Sequence, residues 1–281
     1  MKNISLFVLA LVCFFAATAF AATGELFLRD NLTRAKPGDY LVTAQSKNYT
    51  ILLVRSKVGE QLSIEEITMP MSRVPKDSFS WRQWVENQAP GHTSWIMYTL
   101  HLPSGTMQHT FSFTKNEWIT IPQSQNFFST LLNLKLKLVD ESERKKVGVP
   151  PTDDSRDRRR LWQPSLVVDG KVINGVQFDA WRTKWPSDNS ELSGKIIEVY
   201  VPKENNKYPS YFPYWLQISG IVGNAKVRIV DSGTGLISPK TNNIPNITQK
   251  LVVDCVGFAS EFLSSLVPCQ RQWSLAPDEK F

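Results

Sequence analysis

The segment Ile229-Val230-Asp231-Ser232-Gly233-Thr234 sets a carboxylate at the end of an apolar run and follows it with small, hydroxyl-bearing residues. β-Branched residues suit a strand, and Asp, Ser and Gly suit a tight hydrogen-bonded turn after it. A carboxylate held this way could activate water if a second one shared its proton, because such a pair splits its pKa values into a base and an acid. Asp-Ser/Thr-Gly occurs once in the chain. The other close carboxylates do not help: Glu65 and Glu66 are neighbours in a strand and face opposite sides, and Asp153-Asp154 lies in a charged stretch.

These six residues resemble the catalytic loop of pepsin-like and retroviral aspartic peptidases, and the resemblance implies Asp231 as the acid-base residue. The chain departs from that family in lacking a second motif. The retroviral solution, a dyad made by dimerisation, meets only 50 residues after Asp231, with a helix expected among them. Arg228 and Gly235 also differ from the motif's usual borders. The plainer reading is a strand that ends in a turn, so Asp231 as a hydrolase residue is the alternative and no catalytic residue is the main expectation.

A second cluster is aromatic. Tyr208, Tyr211, Phe212, Tyr214 and Trp215 fall within eight residues, broken by Pro209 and Pro213. If exposed, Tyr208, Tyr211, Phe212 and Trp215 would stack on a sugar or grip an apolar or proline-rich ligand. If buried, they fill the core where a strand enters the sheet, and alternation from Tyr214 to Ser219 requires at least one aromatic set inside. Trp181 and Trp185 read as core as well. The chain holds no Gly-x-Ser-x-Gly elbow, no phosphate-cradling glycine loop and no His-Glu-x-x-His, so no cofactor is expected.

The three histidines depend on a hairpin. With Ser104-Gly105 as a two-residue turn, Ile96 faces Phe113, Tyr98 faces Phe111, Leu102 faces Met107, Thr99 faces Thr110 and His101 faces Gln108. One face is then apolar and the other polar, which is the register that burial selects. It puts Tyr98 and Phe111 on one buried face and points His101 and His109 to opposite sides. His92 has no ligand partner at metal spacing, so no metal is expected.

Around these residues the chain reads as antiparallel strands. Runs at 40–45, 49–55 and 62–68 are punctuated by Ser46-Lys47-Asn48 and Lys57-Val58-Gly59-Glu60. Trp81, Trp84 and Val85 have helical spacing behind a capping Ser80 or Ser78. Further strands are expected at 176–183, 195–201, 214–219 and 225–230, with Asp169-Gly170 and Asn174-Gly175 as turns. Residues 140–160, with six acids and seven bases around Val149-Pro150-Pro151, read as a charged linker or exposed loop. The expected organisation is a signal segment over 1–21, a β-rich half over 22–139, the linker over 140–160, and a second β-rich half over 161–281. The fold class is mainly β, an antiparallel meander of half-barrel or sandwich type with a few short helices. That architecture resembles the open half-barrels that carry lipids or lipoproteins across a periplasm, which implies an apolar cavity.

The first residues give a compartment. Lys2, an uncharged apolar stretch centred on Leu6–Phe15, and the small-residue end Ala19-Phe20-Ala21 form a secretory signal cleaved before Ala22. Cys255 and Cys269 therefore sit where a disulfide is allowed. However, Cys255, Phe258, Ala259, Phe262, Leu263 and Leu266 have helical spacing. A helix would separate the two cysteines by about 21 Å, beyond bridging distance. A net charge of +6 is spread along the chain, and its densest basic run, Arg156 to Arg160, is interleaved with acids. That excludes the one-sided stripe of nucleic-acid binding. The expectation is an exported envelope or periplasmic protein that binds an apolar, glycan or protein ligand or is structural, and that meets membrane only through its signal peptide. N-terminal sequencing of the exported protein should begin at Ala22. A sequence beginning at Met1 would contradict the cleavage.

Overall fold

The computed structural model describes residues 24–75, 79–120, 127–152, 157–203, 208–219, 224–240, 244 and 250–252. The signal segment and both Cys255 and Cys269 lie outside these residues. The strands are β1 (Glu25–Leu26), β2 (Tyr40–Gln45), β3 (Asn48–Val58), β4 (Gln61–Pro70), β5 (Ser94–His101), β6 (Thr106–Ser112), β7 (Glu117–Thr120), β8 (Leu136–Leu138), β9 (Leu166–Val168), β10 (Lys171–Ile173), β11 (Phe178–Lys184), β12 (Ile196–Pro202), β13 (Trp215–Ser219), β14 (Asn224–Gly233) and β15 (Lys250–Val252). Three short helices join them: α1 (Leu28–Leu32), α2 (Trp81–Glu86) and α3 (Phe127–Asn133). Thirteen strands form one sheet in the order β1-β8-β11-β12-β13-β14-β2-β3-β4-β5-β6-β7-β15, antiparallel except for β15 beside β7. The fold is therefore mainly β. Strands from before and after the charged stretch belong to the same sheet, zipped together by β14–β2 and by β8–β11.

The sheet is strongly coiled, and α3 shows why. Its last residue, Asn133, donates from its amide to Ser104 O (2.9 Å) and Gly105 O (3.4 Å) in the β5–β6 turn. Three residues later β8 begins, at the other end of the sheet order. Three residues span at most about 10 Å. Eight inter-strand steps separate β8 from β5 in the sheet, about 38 Å if it lay flat. The sheet must curl until these regions nearly meet, the right-handed twist accumulating across strands.

The concave side is filled. Phe128 of α3 meets Tyr98 of β5 at 5.7 Å and Phe212 at 6.3 Å, while Phe127 stacks on Trp185 at 5.2 Å. Leu28 and Leu32 of α1 join the same apolar cluster, as do Ile197, Val199, Leu216 and Val227 from the far strands. A second cluster lies on the convex side of β2–β5, where Val42, Ile51, Leu53, Ile67 and Trp95 pack under Trp84 and Val85 of α2 and under Leu236. These strands are buried on both faces, so their sequences read as continuous apolar runs rather than alternating ones. Ser80 caps α2, its hydroxyl accepting from Gln83 N at 3.4 Å.

The hairpin departs from its expected register. Its turn spans Leu102–Gly105, with Gly105 N donating to Leu102 O and Gly105 at φ +61°. Ile96 lies across from Ser112, Tyr98 from Thr110 and Met97 from Phe111, so Tyr98 and Phe111 face opposite sides. Phe111 has an apolar setting of its own, against Phe113 at 5.2 Å and Trp118 at 5.3 Å. Where both faces are apolar, alternation cannot select the register. A bulge at Gln108 sets His109 opposite Thr99, on the face that also carries His101. The two histidines thus share a face rather than pointing apart. Each is engaged separately: His101 with Ser104 Oγ (2.8 Å) and Glu60, His109 beside the Trp118 ring.

Asn133 is the clip that this geometry tests. Asn133→Ala removes its bonds to Ser104, Gly105 and Ser129 and its oxygen's partner Arg29. It should lower unfolding stability by about 2 kcal/mol in urea denaturation. A loss under about 0.5 kcal/mol, the level of an ordinary surface change, would contradict that role.

Candidate functional site

Asp231 reaches its position through an irregularity. Ile229 pairs with Thr43, but Asp231 pairs with Val42, because Val230 is an extra residue in β14. Ile229 faces the concave core while Val42 belongs to the convex cluster. Without the bulge, Asp231 would point into the apolar interior. With it, the carboxylate sits under the β9–β10 hairpin, whose two-residue turn Asp169-Gly170 has φ values of +46° and +75°. These are the left-handed values of a type I′ turn, which Asp-Gly favours.

Asp231 Oδ1 accepts from Gly170 N at 3.0 Å and Ser232 N at 2.9 Å. Burial raises its pKa above the ordinary carboxylate value; the two amides and Arg82 oppose that, and the Asp169 charge adds to it. Asp169, the residue before Gly170, is thus near enough for its charge to act on Asp231, although no second motif announces it and no hydrogen bond joins the two carboxylates among the described contacts. Asp169 is held by others: it accepts from Tyr40 Oη at 2.9 Å and from Arg82 at 2.8 Å, and Arg82 also donates to Thr234 O. Ser232 Oγ donates to Val167 O, and a methyl group on Gly233 would overlap the Tyr40 ring. Asp231, Ser232 and Gly233 together dock the β9–β10 hairpin onto β14.

The aromatic run divides. Tyr208, Tyr211, Phe212 and Tyr214 are all buried in the concave cluster. Tyr214 Oη donates to Pro209 O at 3.0 Å, and its ring lies 6.0 Å from Phe178. Burial, with the neighbouring Asp39 charge, holds the Tyr211 hydroxyl well above the usual tyrosine pKa. Only Trp215 turns to the outer face, where it pairs across strands with Tyr200 and Arg228.

On that outer face a set of residues converges that the sequence did not single out. Trp162 packs edge-on to Trp215 at 4.9 Å and to Tyr200 at 5.1 Å. Both tryptophans are half-buried. Lys145 Nζ lies 5.6 Å from the Trp162 ring and 5.8 Å from that of Trp215, and Lys226 Nζ lies 6.0 Å from Trp215. Burial lowers the Lys145 pKa, Lys226 lowers it further, and Glu198 opposes both. Glu198 is itself paired with Arg182 at 3.0 Å. Exposed Lys226 and Arg228 enter no ion pair among the described residues. The indole N–H of Trp215 is buried without an acceptor there. The available signal was alternation: Glu198 and Tyr200, Trp215 and Gln217, and Lys226 and Arg228 are the outward positions of three paired strands. Trp162 carries no such signal, since its place depends on a long-range contact.

The charged stretch is exposed over most of its described length, yet it is tied to this face. Trp162 N donates to Lys145 O, Lys146 bridges to Leu161, and Arg144 donates to Phe178 O. Among the described residues no group of three His, Cys, Asp or Glu side chains could hold a metal ion.

Residues 50–174 match the family model described as CT021 protein. No curated protein matches the chain. Among solved structures, that of the hypothetical protein CT021 from Chlamydia trachomatis is similar over 79% of this chain and 100% of that one, at 21% identity and a TM-score of 0.53. The likeness is one of fold. The family match runs from β3 through β10 and takes in Trp162 and Asp169, but it ends before β11–β14.

Asp231 can be tested by titration. Its folded pKa is raised, so its contribution to stability is full below the unfolded value near 3.9 and is lost as pH rises through the folded value. Asp231→Asn keeps an acceptor for both amides and should remove that decline, which the wild type retains. Asp231→Ala strands the Gly170 and Ser232 amides and should cost about 1–3 kcal/mol at every pH. Denaturant midpoints measured from pH 3 to 8 check both; equal pH slopes in wild type and Asp231→Asn would contradict the assignment.

Proposed function

We propose that this chain is an exported, β-rich envelope protein that acts by binding, with its recognition surface on the outer face of β12–β14 around Trp215. The supporting observation is the convergence of two half-buried indoles with Lys145, Lys226 and Arg228, of which the last two have no acidic partner among the described residues. Such a surface has the chemistry for an anionic ligand: cations for its charge and indole edges for its apolar or C–H surface. The small-residue end of the first 21 residues supports export. Carriage of an apolar ligand in the concavity would require displacing Phe127, Phe128, Tyr208, Tyr211 and Phe212, which fill it.

A second reading, an aspartic-type hydrolase using Asp231, draws support from the Asp169 carboxylate beside it. Two things weigh against it. The Asp169 oxygen that faces Arg82 and Tyr40 is held in an ion pair, and the oxygen of Asp231 is shared by two backbone amides. Acid-optimal peptide cleavage abolished by Asp231→Asn would favour this reading over binding.

Dextran sulfate, compared with neutral dextran, serves as a soluble polyanion probe. Lys226→Glu with Arg228→Glu should weaken its binding at least roughly tenfold. Reversing two exposed lysines elsewhere, Lys47 and Lys171, should have a much smaller effect. Equal losses from both pairs would reduce the surface to general basicity and contradict the proposal.

A further inference from the structure

The strand registers carry one row of side chains across the outer face beyond Trp215. Lys137 of β8 lies opposite Arg182 of β11, Arg182 opposite Glu198 of β12, Glu198 opposite Gln217 of β13, and Gln217 opposite Lys226 of β14. Four inter-strand steps separate Lys137 from Lys226, about 19 Å. Two further rows flank this one: Tyr200, Trp215 and Arg228 on one side, and Lys184, Ile196 and Ser219 on the other. Side chains two apart along a strand share a face, so the three rows point outward together. At the end away from Trp215 the face is hollowed. A groove of about 360 Å³ lies there, its lining including Lys137, Leu138, Glu143, Arg182, Lys184 and Ile196. Leu138 is 49% exposed and Ile196 40% exposed, so the groove offers apolar surface beside its cations.

The charge on this face is basic at both ends and balanced in the middle. Lys137 and Lys184 at one end, and Lys226 and Arg228 at the other, are exposed and enter no ion pair among the described residues. Asp140 also lines the groove and offsets one of its two lysines. Between the ends, Arg182 pairs with Glu198 at 3.0 Å and with Glu143 at 2.8 Å. A small anion needs only one end of such a face. A polymer charged at every unit would set like charges against Glu143 and Glu198. A chain whose carboxylates are separated by uncharged, hydroxyl-bearing units avoids that conflict. Its charges meet the basic ends, its hydroxyls donate to the carboxylates between them, and its C–H surfaces lie on the indoles and on Ile196.

We propose that the ligand of the Trp215 face is an extended acidic polysaccharide, in which carboxylated and neutral sugars alternate, and that it crosses the strands from Lys226 and Arg228 to a second subsite in the Lys137–Lys184 groove. This rests on the binding reading above and adds the ligand class and the second subsite. One chain held at both ends makes its second contact intramolecularly, so affinity rises with ligand length. It weakens as salt screens the exposed cations.

The test uses the chain from Ala22 onward, which keeps every described residue, and hyaluronate oligosaccharides, in which glucuronate alternates with N-acetylglucosamine. In calorimetric titration the dodecasaccharide should bind at least roughly tenfold tighter than the tetrasaccharide. Lys137→Gln with Lys184→Gln should remove that advantage and change tetrasaccharide affinity, which the Trp215 end supplies, by less than about twofold. Lys226→Gln with Arg228→Gln should weaken both oligosaccharides. All four side chains are exposed, and unchanged thermal midpoints would show that the variants fold. Equal affinity for the two lengths overturns the proposal, and so does a length advantage that survives Lys137→Gln with Lys184→Gln. Tighter binding of polyphosphate of matched length would overturn the polysaccharide assignment. If dextran sulfate binds and responds to Lys226 and Arg228 while hyaluronate does not bind, the extended ligand falls and the binding surface stands. If neither probe binds, both fall.

Discussion

Everything in this molecule depends on how little chain separates Asn133 from β8. That side chain is hydrogen-bonded to the β5–β6 turn, and three residues later the backbone is paired into the opposite end of the sheet. A flat sheet cannot satisfy both. The coil that results creates a concave side, and the chain fills it with its own α1, α3 and the aromatic run from Tyr208 to Tyr214. Arg29 reinforces the clip from α1 by donating to the Asn133 oxygen, while the amide holds the turn.

That coil decides which residues remain available for recognition. Tyr208, Tyr211 and Phe212 close the interior, whereas Trp215, one residue past Tyr214, lies on the outer face by strand alternation. The same logic governs Asp231, which one extra residue at Val230 diverts from the apolar side to the polar seat beneath Asp169-Gly170. Groups that look reactive in the sequence are absorbed in docking one element on another. The exposed chemistry lies instead where the charged stretch crosses β12–β14 and brings Trp162 to Trp215.

Local features were legible because local physics determines them. The strands from Tyr40 to Pro70 follow their apolar runs, Ser80 caps α2, and Asp169-Gly170 adopts its left-handed turn. Adjacent carboxylates Glu65 and Glu66 are both buried on opposite faces, as a strand requires, with Glu65 paired to Arg55 and accepting from the Trp95 indole. Long-range features were not legible. Nothing in the sequence of β14 names β2 as its partner. The hairpin register failed because Phe111 has aromatic neighbours on the outer face, so burial did not distinguish the two sides. The stretch over 140–160 reads as a linker by composition, yet Arg144, Lys145 and Trp162 tie it to the sheet. Of the candidate binding residues only Trp215 lies outward, and its neighbours came from three separate parts of the chain.

The coiling of one continuous sheet is the central claim, and a distance tests it most directly. Spin labels at exposed Pro103, in the β5–β6 turn, and at exposed Lys137, in β8, can be placed in a chain whose own cysteines are changed to serine. The coiled sheet predicts a separation below about 25 Å, given the short chain path through Asn133. A separation of about 38 Å or more, the span of eight inter-strand steps laid flat, would contradict it.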